Sequence, residues 1–142
     1  MSTNDPARNK ETIRKLREEY LSSGRPELLS GLYTDDYVYH GPGIIGDYHG
    51  PNAYQEMITP FVRALEGFRE DIVQQVAEGD RVVSQWNGQG IHSNAEIMGV
   101  APTGNRITWQ TICISRFVDG KIAEEWVQLD TLSFAKQFGS PL

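Results

Sequence analysis

The feature that most constrains this chain is a pair of strand-like runs, residues 106–118 and 121–130, separated by only Asp119-Gly120. An Asp-Gly pair between two such runs signals a β-hairpin, because the tight turns that match strand twist need positive φ at both central residues. Gly79-Asp80 makes a second break of this kind, between residues 68–78 and residues 81–92. Four strands in hairpin order predict an antiparallel sheet over the second half of the chain.

The first half reads differently. Residues 9–22 carry Ile13, Leu16, Tyr20 and Leu21 on one helical stripe, and Ser23-Gly24 ends the helix. Residues 26–32 predict a second short helix with Pro26 in its first turn. Residues 32–40 predict a strand after a turn at Asp35-Asp36, and residues 41–50 a glycine-rich loop. Residues 52–65 predict a third helix, with Tyr54, Met57, Ile58, Phe61 and Leu65 as its apolar stripe. Residues 132–138 predict a short terminal helix, and residues 1–8 a frayed arm. Helices followed by hairpin-connected strands predict an α+β fold, with the helices on the concave face of a curved antiparallel sheet.

At 142 residues the chain predicts a single domain spanning residues 1–142. A formal net charge of −6 argues against nucleic acid or an anionic membrane as a partner, since both need clustered Lys and Arg. The single cysteine, Cys113, excludes an intrachain disulfide and fits a reducing compartment; in the run TICIS it reads as a small buried hydrophobe. No apolar run is long enough to span a bilayer, and the charged N-terminus does not read as a signal peptide, so a cytoplasmic protein is expected.

Alternation along the strands nominates site residues. Trp86 and His92 share a face with Val82 and Ser84; Trp126, Gln128 and Asp130 share one with Ile122 and Glu124. With both faces inward, a cavity would hold two indoles, an amide, an imidazole and a carboxylate. A bulge would break this parity, and Gly88 and Gly90 are the places expected for one. Asp130 reads either as a buried carboxylate whose pKa is raised for general-base work, or as the N-cap of the terminal helix. His92 or His40 could donate to a substrate carbonyl oxygen; His92 reads equally as a strand-end histidine bonded to backbone. Trp86 and Trp126 are core or substrate platform, and Tyr39 is core or a cavity hydroxyl. Gln110 is a cavity donor only if Trp109, on the opposite face, points outward. The histidines at 40, 49 and 92 have no metal-ligand spacing, and no phosphate-binding glycine loop is present, so neither metal nor cofactor is expected. The same parity puts Val83, Ile91, Ala123, Val127 and Leu129 on the convex face, an apolar surface expected to pack against a second copy.

Ala77-Glu78-Gly79-Asp80-Arg81-Val82-Val83, Gly90-Ile91-His92, Gly99, Pro102-Thr103-Gly104, Arg116-Phe117, Asp119-Gly120-Lys121-Ile122, Glu124, Trp126, Asp130, Leu132, Gln137 and Gly139 together form a pattern. With Tyr39-His40-Gly41-Pro42 and Gly50-Pro51-Asn52-Ala53-Tyr54, that pattern resembles the SnoaL-like polyketide cyclases of the nuclear transport factor 2-like superfamily. The resemblance covers residues 11–139. It implies a cone-shaped α+β barrel around an apolar cavity and a homo-oligomer, usually packed through the sheet. It also implies Asp130 as acid/base, with histidines and polar residues lining the cavity. The sequence departs from the pattern at Glu66-Gly67, where relatives carry Pro-Asp, and at Ile91 and Asn94 beside His92. The expected function is cofactor-independent acid/base chemistry on a small apolar carbonyl compound, such as an intramolecular aldol closure. The alternatives are a non-catalytic binding cone, or an isomerase, dehydratase or epoxide hydrolase of the same superfamily.

Overall fold

The computed structural model describes residues 4–43 and 45–139. Helix α1, Pro6–Lys15, is capped by Asp5, whose carboxylate accepts from the Arg8 amide at 3.1 Å. The expected frayed arm is therefore helical from Pro6; its first three residues lie outside the described ones. The helix continues as a π-helical stretch, Leu16–Leu21, and a 3₁₀ turn follows at Pro26–Leu29. Strand β1 is Tyr33–His40 and β2 is Asp47–His49. Helix α2, Ala53–Ala64, leads directly into β3, Leu65–Glu78. Strands β4, Arg81–His92, β5, Arg106–Val118, and β6, Lys121–Leu129, complete the sheet before α3, Thr131–Gln137.

The fold is α+β, as expected: one curved six-stranded sheet in the order β2-β1-β6-β5-β4-β3. Three details differ from the sequence reading. The sheet is open, with β2 and β3 at its edges. It is mixed, because β1 returns beside β6 in the parallel sense. Asp35 and Asp36 lie within β1 instead of in a turn before it, at a point where the β1–β6 register shifts. The loop after β1 also contributes a short strand, which pairs Val38 with His49 and His40 with Asp47.

The Asp119-Gly120 turn is as the sequence demands. Asp119 has φ 50° and Gly120 φ 80°, and Val118 pairs with Lys121 across them. Two residues further on the ladder slips. Phe117 pairs with Ile122 but Arg116 pairs with Glu124, leaving Ala123 as an extra residue. This bulge inverts the parity of β6. Ile122 faces inward, and so do Glu125, Val127 and Leu129, while Trp126 and Gln128 turn outward. The expected bulge at Gly88 or Gly90 does not occur; β4 pairs with β5 without interruption and keeps Val82, Ser84, Trp86 and His92 on the buried face.

A second bulge shapes β3. Glu66 pairs with Ile91 and Arg69 with Gln89, so three steps on β3 oppose two on β4. Gly67 absorbs the misfit with φ 67°. Beyond it Phe68, Glu70 and Ile72 face the helices. Those helices lie on the concave side, where Ile13, Leu16, Tyr54 and Val62 join Val82, Ile107, Phe117 and Ile122 in the core.

Candidate active site

The core encloses an apolar pocket of about 60 Å³ between the sheet and α2. Its apolar walls are chiefly Met57, Ile58 and Phe61 of α2 with Leu65, Val127, Leu129 and Phe134. Set into them is a small group of polar side chains: Arg17, Glu70, Tyr54, Tyr39, Trp86, Trp109 and Thr111.

Glu70 is the centre of that group. Its side chain is 3 % exposed and pairs with the 4 % exposed Arg17, Nη1 to Oε1, at 3.1 Å. The indole Nε1–H of Trp109 donates to its other oxygen at 2.8 Å. Arg17 Nη1 also donates to the Tyr54 hydroxyl at 2.5 Å, and the guanidinium lies 3.8 Å from the centre of the Trp86 ring. Burial disfavours the Arg17 cation, but Tyr54, Glu70 and Glu125 outweigh it and hold the guanidinium pKa well above its usual value. Burial pushes the Tyr54 and Tyr39 phenols up, and Arg17 only partly offsets that, so both hydroxyls stay protonated donors. A buried ion pair of this kind contributes little net stability, yet removing one partner alone typically costs about 3–5 kcal/mol.

Local structure explains the placement. On the α1 stripe, Arg17 follows Ile13 by four residues, so the helical period carries it to the apolar side. The π-helical turn that holds it is tied down by Ser22, whose hydroxyl donates to the Arg17 carbonyl at 2.7 Å and accepts from the Glu70 amide at 2.8 Å. Across the sheet Glu70 pairs with Gly88, and Gly88 with Trp109. The Trp109 indole crosses the bare Cα of Gly88 to reach Glu70; a Cβ on Gly88 would overlap it.

Two of the sequence-nominated residues reach this pocket, Trp86 and Tyr39. Tyr39 and Tyr54 pack with ring centres 5.5 Å apart. The others lie elsewhere. Asp130 is exposed and caps α3, its Oδ1 accepting from the Ser133 amide at 3.0 Å. Trp126 and Gln128 turn outward because of the Ala123 bulge. Gln110 points outward because Trp109 takes the inner side of β5. His40 is on the outer face, its ring stacked on Trp126 at 5.5 Å and its Nε2 2.7 Å from Glu124 Oε2. His92 keeps its expected parity and is fully buried, but it lies behind the pocket wall: its ring bonds the Ala95 carbonyl at 2.8 Å and packs edge-on against Phe138.

Arg17, Glu70, Tyr54 and Trp109 were not nominated from the sequence, although a signal was present. Arg17 interrupts an apolar helical stripe, and Glu70 alternates with Phe68 and Ile72. A charge at an apolar position of each pattern is the mark of a buried pair. A second buried carboxylate, Glu125, accepts from Tyr37 at 2.8 Å and Ser115 at 2.6 Å and does not line the pocket. Among the described residues no group of three or more His, Cys, Asp or Glu side chains gathers to hold a metal.

The sequence matches the SnoaL-like polyketide cyclase family over residues 11–138. The chain belongs to that family. SnoaL-like proteins are also its structural neighbours. IdmH of Streptomyces antibioticus, a candidate polyketide cyclase, is 30 % identical, with 92 % of this chain and 98 % of that one covered at TM-score 0.75. A candidate polyketide cyclase of Acidithiobacillus ferrooxidans is 25 % identical, with 98 % of each chain covered at TM-score 0.79. TsrD of Streptomyces laurentii is 23 % identical, with 96 % and 98 % covered at TM-score 0.81, a likeness of fold. No curated protein matches the chain. Membership of the SnoaL-like family points to a cyclase-type function. No described helix is long and apolar enough to cross a membrane.

Proposed function

We propose that this SnoaL-like protein is a cofactor-independent enzyme that removes a proton next to the carbonyl of a small apolar substrate and uses the enolate within the same molecule, as in an aldol closure. The observation that carries this reading is the Arg17–Glu70 pair, with Tyr54 and Trp109, at the wall of an apolar pocket. Glu70 takes the α-proton, and the C–H pair becomes the enolate. The Tyr39 hydroxyl, which makes no hydrogen bond to any described residue, or Tyr54 donates to the developing oxyanion. The enolate carbon attacks a second carbonyl, and Glu70 returns its proton to the new alkoxide. Proton and electron pair are both conserved, so no external reagent is needed. Arg17 and Trp109 hold the carboxylate in place, Arg17 on Oε1 and Trp109 on Oε2. This gives Glu70 the role that the family resemblance gives to Asp130.

The test is exchange of the α-protons of 2-tetralone into deuterated water, followed by NMR. A positioned general base contributes on the order of 10²–10⁴-fold. Glu70→Gln is expected to lose exchange by at least a hundredfold, while Asp130→Asn, which can still cap α3, keeps it. Because Glu70→Gln leaves Arg17 unpaired, the double variant Arg17→Met/Glu70→Leu serves as the folded control. Exchange that survives in the double variant and disappears in Asp130→Asn would return the role to Asp130.

The same reading includes a homodimer through the outer face of the sheet. The parity inversion changes which residues form it: Val127 and Leu129 line the pocket, and Ala123 is buried. One unbroken row crosses the strands instead, Val76 to Val83 to Ile114 to Trp126. Val76, Val83 and Ile114 of that row are exposed, as is Ile112 beside it. A single-sided sheet with that much apolar area on its open face is matched by a second copy of the same face.

A further inference from the structure

A pocket of about 60 Å³ is well short of the ~300–1,000 Å³ that encloses a typical small-molecule ligand. A ligand whose carbonyl reaches Glu70 therefore extends beyond it. Trp109, Leu129 and Phe134 line both the pocket and an open groove of about 740 Å³. The two spaces thus adjoin across three side chains. The groove is formed by β3 at Asp71, by β4, β5 and the end of β6, and by α3, and its chemistry is unlike the pocket's. Asn87, Gln89, Gln110 and Gln128 bring neutral amides, Thr108 and Ser133 bring hydroxyls, and Asp71 and Asp130 bring carboxylates. Among the described residues no Lys or Arg lines it.

Asp71 is paired with Arg69, Gln89 accepts from Arg106 and Gln137 bonds Thr108, while the rest of that hydrogen-bonding capacity is unspent within the protein. Gln110 donates its Nε2 to Asn87 Oδ1 at 2.9 Å, which leaves Gln110 Oε1 as an acceptor and Asn87 Nδ2 as a donor. Gln128 makes no hydrogen bond to any described residue. Asp130 uses Oδ1 on the Ser133 amide and keeps Oδ2. Open donors and acceptors thus stand side by side on Asn87, Gln110, Gln128 and Asp130. A hydroxyl both donates and accepts, and a row of hydroxyls on a ring is the ligand that such a wall satisfies. A phosphate or carboxylate would meet the Asp130 carboxylate, and the two guanidiniums that touch the groove's side chains are already engaged, Arg69 by Asp71 and Arg106 by Gln89. The other space adjoining the pocket, through Ile45, Met57 and Phe61, is walled largely by apolar groups including Pro60 and Met98 and offers no comparable array.

We infer that the groove is a subsite for an uncharged polyhydroxylated group, of the glycosyl type, carried by the same substrate whose apolar carbonyl-bearing body enters the pocket. This inference rests on the pocket reading given above. Asp130 thereby gains a role outside the chemistry: it holds α3 in place and offers its second oxygen to a substrate hydroxyl.

The experiment compares 2-methoxynaphthalene with 2-naphthyl β-D-glucoside, both uncharged, by titration calorimetry on the full chain. The wild-type protein is expected to bind the glucoside at least tenfold more tightly, a difference of about 1.4 kcal/mol. In the variant Gln110→Leu/Gln128→Leu that preference is expected to vanish while 2-methoxynaphthalene binds as before. Equal affinities in the wild type overturn the inference, and so does a preference that survives in the variant. A preference that is lost instead in Met98→Glu places the sugar at the other mouth and overturns it too. If neither compound binds, the pocket reading fails and takes the subsite with it; binding of 2-methoxynaphthalene alone leaves the pocket reading standing.

Discussion

Gly88 is the residue on which the geometry of the site turns. It stands between Glu70 and Trp109 in one cross-strand row, and its lack of a side chain lets the indole cross to the carboxylate. Gly88→Ala would force the indole aside, because a Cβ there overlaps it. Overpacking of this kind typically costs about 1–3 kcal/mol. The expected outcome is a lower Tm, a moved Trp109 indole resonance in the NMR spectrum, and slower 2-tetralone exchange. An unchanged indole resonance would show that Trp109 does not depend on Gly88. The sequence makes the pair visible only after the fact: glycine in a strand marks a close approach, but not which side chain approaches.

Among the elements, β6 carries the most consequence per residue. Its Ala123 bulge sends Val127 and Leu129 to the pocket and Trp126 to the outer face. There Glu124 ties three strands together, accepting from Arg116 of β5 at 3.2 Å and meeting His40 of β1 at 2.7 Å. The bond to His40 is the chief cause that holds the Glu124 carboxyl below its usual 4.5, with Arg116 adding to it against partial desolvation. A carboxyl with a depressed folded pKa contributes stability above its unfolded value, and that contribution disappears as the pH falls through the folded one. Glu124→Gln is therefore expected to lower Tm at about pH 6 and to make little difference at about pH 3, read by calorimetry across that range. A Tm difference that persists unchanged in acid would mean that Glu124 acts through packing and not through charge. Half-exposed partners keep the effect modest, on the order of 1 kcal/mol or less.

For the molecule as a whole, the open face decides the assembly. The Val76–Val83–Ile114–Trp126 row is centred on β4 and β5, and the amide-lined end of the same face begins beside it at Ile112 and Gln128, about 7 Å further along the strands. A dimer across the apolar row therefore borders the groove. Ile114→Asp is expected to convert a homodimer into a monomer without loss of fold, measured by light scattering at micromolar concentration and by circular dichroism. A wild-type chain that already runs as a monomer would remove the dimer. Val127 is not the residue for this test: it faces the pocket, so charge there strikes the core.

The class of fold was legible in the sequence because it depends on local signals. Turn chemistry at Gly79-Asp80 and Asp119-Gly120 set the hairpins, helical stripes set the helices, and the motif pattern led to the SnoaL-like family. Parity on β4 was legible too, since an unbroken strand alternates strictly. Parity on β6 was not, because a bulge is settled by how two strands fit, and one extra residue at Ala123 reversed every assignment beyond it: Trp126, Gln128 and the expected cavity aspartate. The parallel seating of β1 beside β6 joins residues more than eighty positions apart, and no local pattern encodes it. The site follows the same division. Sequence alone determined that Arg17 and Glu70 interrupt apolar patterns; only the tertiary structure decided that they are each other's partner. A buried charge is tolerated where its counter-ion arrives, and that arrival is a property of the folded chain.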